Sequence, residues 1–342
     1  AKKHLEAAQA LITEDRVADR GELTADDPLV PDLVGGTDAT QRRKSVENQH
    51  TLSLFYLAQV YGHQGDKSKS AEYCGITLCR QLAADEYDKD DWLQNCTQLA
   101  GFYLGEGRTR CCHYMLTAAL ALLEREKAAE KGVAEEVEAN VQLGWGKMHM
   151  SRLEESAALR TAQESPRTAD DLRDELHIPE HLRFDALGIS VSAAEEVASV
   201  GSFEDARAVF NEGIRCFNDA MKCYTQESWF TEHFEILIDV SNLYRSLSLF
   251  ETDPHRRCVM QKHRIKAIEK LADDINPKLY LGLYRSAQLE CGNVYRDIAE
   301  IKVAEGREPQ KVAHAALKAI SFLEKFLATY KDELDSGKRI DS

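Results

Sequence analysis

The sequence predicts an all-α protein assembled from stacked helical hairpins in two halves joined by a linker. Three observations carry that prediction. Apolar residues recur at helical spacing over long stretches, and no hairpin dipeptide sits between alternating apolar runs. Proline is scarce, at seven residues in 342, so little interrupts a helix. Small and bulky residues also return at the same offsets along the chain, which marks a repeat array.

The elements follow in chain order. The opening AKKHLEAAQALITED is too acidic, and its apolar run too short, for a secretory signal. The first residue is Ala1 rather than Met, so a fragment, or a longer protein with segments missing, is expected. Between Glu14 and Gln49 the stretch DDPLVPDLVGGTDAT reads as a loop joining two hairpins.

The next hairpin fits a tetratricopeptide unit, a pair of helices repeating every 34 residues. Leu54, Leu57, Ala58 and Tyr61 take the first helix's packing positions, Gly65 the turn, and Ser70 and Cys74 the second helix. The following hairpin places Leu99, Ala100, Tyr103, Gly107, Cys112, Leu116 and Ala119 at the same offsets. Small residues at Ala58 and Ser70 let two helices approach, and larger ones fill the gap to the next hairpin. Tyr61 and Tyr103 stand 42 residues apart, so helices or loops are longer than in the standard unit.

Residues 124–137 are charged and Ala-rich, as at a solvated helix end or loop. The polar stretch from Arg160 to Arg183 carries two prolines and is the expected boundary, giving an N-terminal half over 1–159, a linker over 160–185 and a C-terminal half over 186–342. Beyond it, GSFEDARAVFNEG supplies a clear second half-unit through Gly201, Phe203, Ala206, Phe210 and Gly213. Weaker first helices lie at Val240–Ser241–Tyr244 and Cys291–Gly292–Tyr295.

Hydrophobic residues make up 43% of the chain, enough for a sizeable core. The formal net charge is −15, which disfavours nucleic acid as a partner. It favours basic partners by steering encounter, although plain solubility explains the same charge. No apolar run is long enough to cross a membrane, so no membrane insertion is expected. Nine cysteines, none spaced CxxC, read as reduced core residues in the cytosol rather than a disulfide framework.

A search for chemistry finds no reaction centre, so no enzyme, cofactor or small-molecule substrate is expected. His177 and His181 lie four apart with Pro179 between them and no third ligand near. Gly105-Glu106-Gly107 lacks a third glycine and a preceding strand. Neither a phosphate loop nor a GxSxG elbow occurs. The acidic pairs Asp26–Asp27 and Asp273–Asp274 sit in turn-like or helix-end positions. The basic run from His255 to Lys270 carries Arg257, Lys262, Arg264 and Lys266 among Cys258, Ile265 and Ile268. It reads as an amphipathic helix with a cationic outer face, or as a site for an acidic patch.

YLAQVYGHQGDKSKSAEYC, from Tyr56 to Cys74, then belongs to a surface. In a repeat hairpin the groove-facing positions of the first helix are here Phe55, Gln59, Gly62 and His63. Tyr56, Gln59 and His63 form one stripe beside the packing face. Aromatic area with adaptable hydrogen bonds suits reversible recognition, and an ordinary half-exposed face fits the same composition.

Several segments resemble the KIF-binding protein family. They are YLAQVY at Tyr56–Tyr61, AEYC at Ala71–Cys74, RQL at Arg80–Leu82, FEDARAVFNEG, FETDPHRRCVMQKHRI at Phe250–Ile265 and INPKLY at Ile275–Tyr280. The resemblance covers most of residues 50–330, and the chain is expected to lack the family's first hairpins and last helices. It implies a right-handed α-solenoid of tetratricopeptide-like hairpins and a non-enzymatic, cytoplasmic, cytoskeleton-associated protein. Its partners would be the motor domains of a subset of kinesins, whose microtubule-contacting elements it would cover. Family members are linked to microtubule organisation, axon outgrowth and mitochondrial transport.

The family's motor contacts match Tyr56, Gln59 and Gln81. A family threonine on the next first helix is replaced by Gln98, beside Thr97. The alternative is a general tetratricopeptide adaptor that grips peptide tails. A carboxylate clamp would need Lys or Arg at positions held here by Phe55, Gln59, Gly62, His63, Thr97 and Gly101.

Overall fold

The structure is a computed structural model that describes residues 2–3, 5–7, 39–165, 178–179, 182–189 and 198–331. Among the described residues there are helices and connecting turns and no strand. The chain folds as two compact units. One comprises Ala1–Val137 with Glu175–Ala193, the other Glu138–Asp174 with Ala194–Ser342.

In the first unit α1 spans Ala39–His63, α2 Lys67–Ala84, α3 Lys89–Gly105 and α4 Thr109–Ala128, and each packs on the next. Connections of three or four residues leave each helix no choice but its sequence neighbour. The repeat register is visible in the burial. Leu54, Leu57, Ala58 and Tyr61 are buried, as are Leu99, Ala100, Tyr103, Cys112, Leu116 and Ala119. Gly65 and Gly107 turn the chain at φ +80° and +72°, where any Cβ is strained. Asp66 and Asp88 cap α2 and α3 by accepting backbone N–H groups.

Leu182, Arg183 and Phe184, inside the stretch expected to be linker, pack within this first unit. Phe184 lies between Trp92 and Tyr114, at centroid distances of 5.2 and 5.8 Å. Its N–H donates to the Tyr114 hydroxyl at 2.7 Å. A Cβ on Gly75 would meet Leu182 Cδ2 at 2.1 Å. Three buried apolar residues, Ile178, Leu182 and Phe184, are what tie a polar stretch to the core. Most of the loop expected between Glu14 and Gln49 lies outside the described residues, and its end, from Ala39, is the start of α1.

The second unit takes α5 (Glu135–Thr161) from residue 138 onward, then α6 (Phe203–Ala220), α7 (Phe230–Ser248), α8 (Pro254–Asp274), α9 (Leu281–Ala304) and α10 (Pro309–Ala328). From α6 to α10 each helix packs on the next, the stacking of an α-solenoid. Residues 138–159, placed by the sequence in the N-terminal half, contribute to this unit's core. Ala139, Leu153 and Ala157 cluster with Phe210, Phe217 and Leu243. A second cluster joins Ile268, Cys291, Val294 and Phe322. No helix among the described residues is long and apolar enough to cross a membrane.

The basic run lies on α8, with Cys258, Ile265 and Ile268 buried as expected. Arg264 departs from the expected cationic outer face. It is 2% exposed, and its guanidinium donates to Glu290 at 2.8 Å, Asp297 at 3.1 Å and the Ser241 hydroxyl at 3.1 Å. The acidic patch it meets belongs to α9 of the same unit. Burying that cation is tolerable only because carboxylates and hydrogen bonds surround it.

Candidate partner-binding groove

In the first unit α1, α2 and the start of α3 enclose a groove of about 430 Å³. Its α1 side is formed by Phe55, Ala58, Gln59, Gly62 and His63. Apart from Ala58, these are the residues left over once Leu54, Leu57, Ala58 and Tyr61 turn inward, since a helix offers a second stripe at i, i+4 and i+7. All four groove-facing positions read from the repeat register are therefore in the groove. From α2 come Ser70, Cys74, Thr77, Leu78 and Gln81, and from the α3 end Asp88, Asp91, Trp92 and Asn95.

The floor is apolar. Leu78 and Trp92 are buried, and the Trp92 indole N–H donates to the Leu78 carbonyl at 3.0 Å. That bond leaves no unsatisfied indole donor beneath the groove. A Cβ added at Gly62 would come within 3.3 Å of Ser70 Oγ, so the close approach of α1 and α2 requires a small residue there. A second hollow, bordered by Leu52, Thr51, Arg80 and Glu86, shares Phe55, Thr77 and Gln81 with the first. Phe55, 39% exposed, is a ridge between the two.

Of the residues singled out by sequence, Gln59, His63 and Gln81 line the groove. Tyr56 is exposed on the same helix, its ring edge-on to Phe55 at 5.6 Å, and lines neither hollow. Thr97 and Gln98 lie on α3 outside both hollows, and the Thr97 hydroxyl donates back to the Leu93 carbonyl at 2.8 Å. Leu52, Thr77, Asp88, Asp91 and Asn95 escaped the sequence reading. The N-cap pattern of DKDD marks where α3 starts, but nothing in helical periodicity brings that turn beside the middle of α1.

The thiol and hydroxyl groups of the α2 lining are buried or already engaged. Burial pushes the Cys74 thiol up to about 11, so it is not a thiolate. The Thr77 hydroxyl is committed to the Tyr73 carbonyl at 2.8 Å. Among the described residues no group of three or more His, Cys, Asp or Glu could hold a metal. His177, His181, Asp26 and Asp27 lie outside the described residues. The groove offers an apolar floor, amide and imidazole groups on its walls, and two carboxylates at one end.

These features define a helical-hairpin repeat protein with a grooved surface. The chain belongs to the KIF-binding protein family, and the family model described as KIF-1 binding protein C terminal matches residues 90–341. It is similar to the KIF-binding protein of Xenopus tropicalis, at 30% identity over 88% of this chain and 54% of that protein. It is likewise similar to the Homo sapiens KIF-binding protein, at 29% identity over 85% of this chain and 53% of that one. A solved structure of Kinesin binding protein (KBP) matches with a TM-score of 0.61 and 25% identity, over 97% of this chain and 59% of that chain. The chain thus spans about half the length of the curated relatives it matches.

Proposed function

We propose that this chain binds kinesin motor domains without catalysing a reaction, and that it governs whether the motor engages its track. The observation that carries the reading is the groove. Gln59, His63 and Gln81 converge on the apolar floor formed by Leu78 and Trp92, with Phe55 as an exposed anchor. Aromatic area flanked by adaptable polar groups is the composition of a reversible protein interface. The names of the relatives supply the partner class.

Tyr56, Thr97 and Gln98 stand outside the groove, so a motor touching all six residues reaches beyond its rim along α1 and α3. Microtubules are acidic, so the face a motor turns toward them is basic. A chain of net charge −15 complements such a face. One surface of the motor cannot hold both partners, so binding here occludes the track. The setting is cytoplasmic and cytoskeletal, in microtubule-based transport, axonal microtubule organisation and axon outgrowth.

The test is a pull-down of the purified chain with kinesin motor domains and, separately, with acidic tail peptides. Capture of motor domains, reversed by adding microtubules, supports the reading. Capture of tail peptides alone replaces it with a general adaptor.

A further inference from the structure

We propose that the α3 end of the groove is a socket for one Lys or Arg of the docked partner, with the partner's adjoining apolar side chain resting against Phe55, Leu78 and Trp92. This rests on the reading that the groove takes a kinesin motor domain. Charge is distributed unevenly along the track formed by the two hollows, and that asymmetry points to the occupant.

The two ends of the track are treated differently. Beside the Phe55 ridge, Glu86 is paired with Lys44 at 2.5 Å and Arg80 with Glu47 at 2.5 Å, so the protein neutralises its own charge. At the other end Asp88 and Asp91 form no ion pair among the described residues. Asp88 uses Oδ1 to accept the N–H groups of Asp90 and Asp91, at 2.9 and 3.0 Å, and keeps its other oxygen. Asp91 is exposed. No described Lys or Arg lines the groove, so the lining carries two negative charges together with an exposed aromatic ring.

That arrangement selects chemistry. An acidic peptide meets two like charges with no compensating cation, whereas a cation beside an apolar side chain satisfies both the carboxylates and the floor at once. Both carboxylates are exposed, so the contact is screened by salt and acts on steering as well as on affinity. Asn95, one turn beyond Asp91 on α3, adds an amide to the same rim.

The experiment measures the affinity of the whole chain for a kinesin motor domain at two salt concentrations. It compares wild type with Asp91→Asn, Asp91→Lys, Asn95→Lys and a control, Glu124→Lys, an exposed charge change on α4 outside the groove. Asp91→Asn is expected to weaken binding about threefold to tenfold, and each lysine variant more than tenfold, with a shallower salt dependence. Glu124→Lys is expected to change affinity less than twofold. Asn95→Lys keeps the α3 cap intact and carries the test if Asp91→Lys unfolds. Asp91→Asn and Asn95→Lys binding as tightly as wild type overturns the socket while leaving the motor reading standing. Equal weakening by Glu124→Lys overturns it in favour of net charge alone. A wild type that binds no motor domain ends both.

Discussion

The Ser70 hydroxyl donates to the Ala58 carbonyl across 2.8 Å, a side-chain bond that ties α2 directly to the backbone of α1. Only small residues at both positions permit that spacing. Replacing Ala58 by Leu overpacks the contact and is expected to cost about 1–3 kcal/mol, read as a lower urea midpoint with an unchanged slope.

Tyr56 and Gln59 are on the outer stripe of the same helix. Replacing both by Ala should leave stability within about 0.5 kcal/mol, because neither is in the buried set. Motor binding should weaken by about 1–2 kcal/mol, measured by calorimetric titration beside a thermal melt. A lost melt would mean that the stripe is a packing face.

Arg264 holds α7, α8 and α9 together through Ser241, Glu290 and Asp297. Removing it with Ala leaves the partly buried Glu290 without its cation and Asp297 with only Arg296, and is expected to cost about 3–5 kcal/mol. The triple replacement of Arg264, Glu290 and Asp297 by apolar residues should recover much of that loss in the same denaturation assay.

Asp239 carries a pH signature. Burial pushes its carboxyl up to about 6, helped by Glu235 and Glu154 and opposed by Lys147. The folded state thus favours the neutral acid over its usual 3.8. The resulting stabilisation is complete below about pH 4 and is lost as pH rises through 6. Asp239→Asn should raise stability at pH 7 by about 1–3 kcal/mol relative to wild type and give no such gain at about pH 3.5, followed by thermal melts across that range.

Gly75 lies against Leu182 with no room for a side chain. Gly75→Val should displace the segment around Leu182 and Phe184 from the first unit. The expected outcome is a loss of about 1–3 kcal/mol and earlier proteolytic cleavage near Arg183.

Much of the fold was legible because a repeat writes itself into local spacing. Leu57 and Leu99 set the register of two hairpins, and Gly65 and Gly107 marked their turns, since packing and turn geometry depend on residues a few positions apart. The same register named Phe55, Gln59, Gly62 and His63 as groove-facing. The departures have a different origin. Arg264 sat in a run that looked solvated, and its burial followed from Glu290 and Asp297, 26 and 33 residues away. Phe184 looked like linker, and its place was decided by Trp92 and Tyr114, distant in the chain and adjacent in space.

The amino-acid sequence by itself determined that this protein is helical, that its hairpins stack, and which stripe of α1 is left facing the groove. These are consequences of periodicity, which acts over a single turn. Only the tertiary structure decided that the α3 end brings Asp88 and Asp91 to the same groove as Gln59. It alone decided which carboxylates stand outside ion pairs and which are paired with Lys44 and Arg80. Electrostatic partnership depends on distance through space, and a helical sequence encodes that only after its helices have packed.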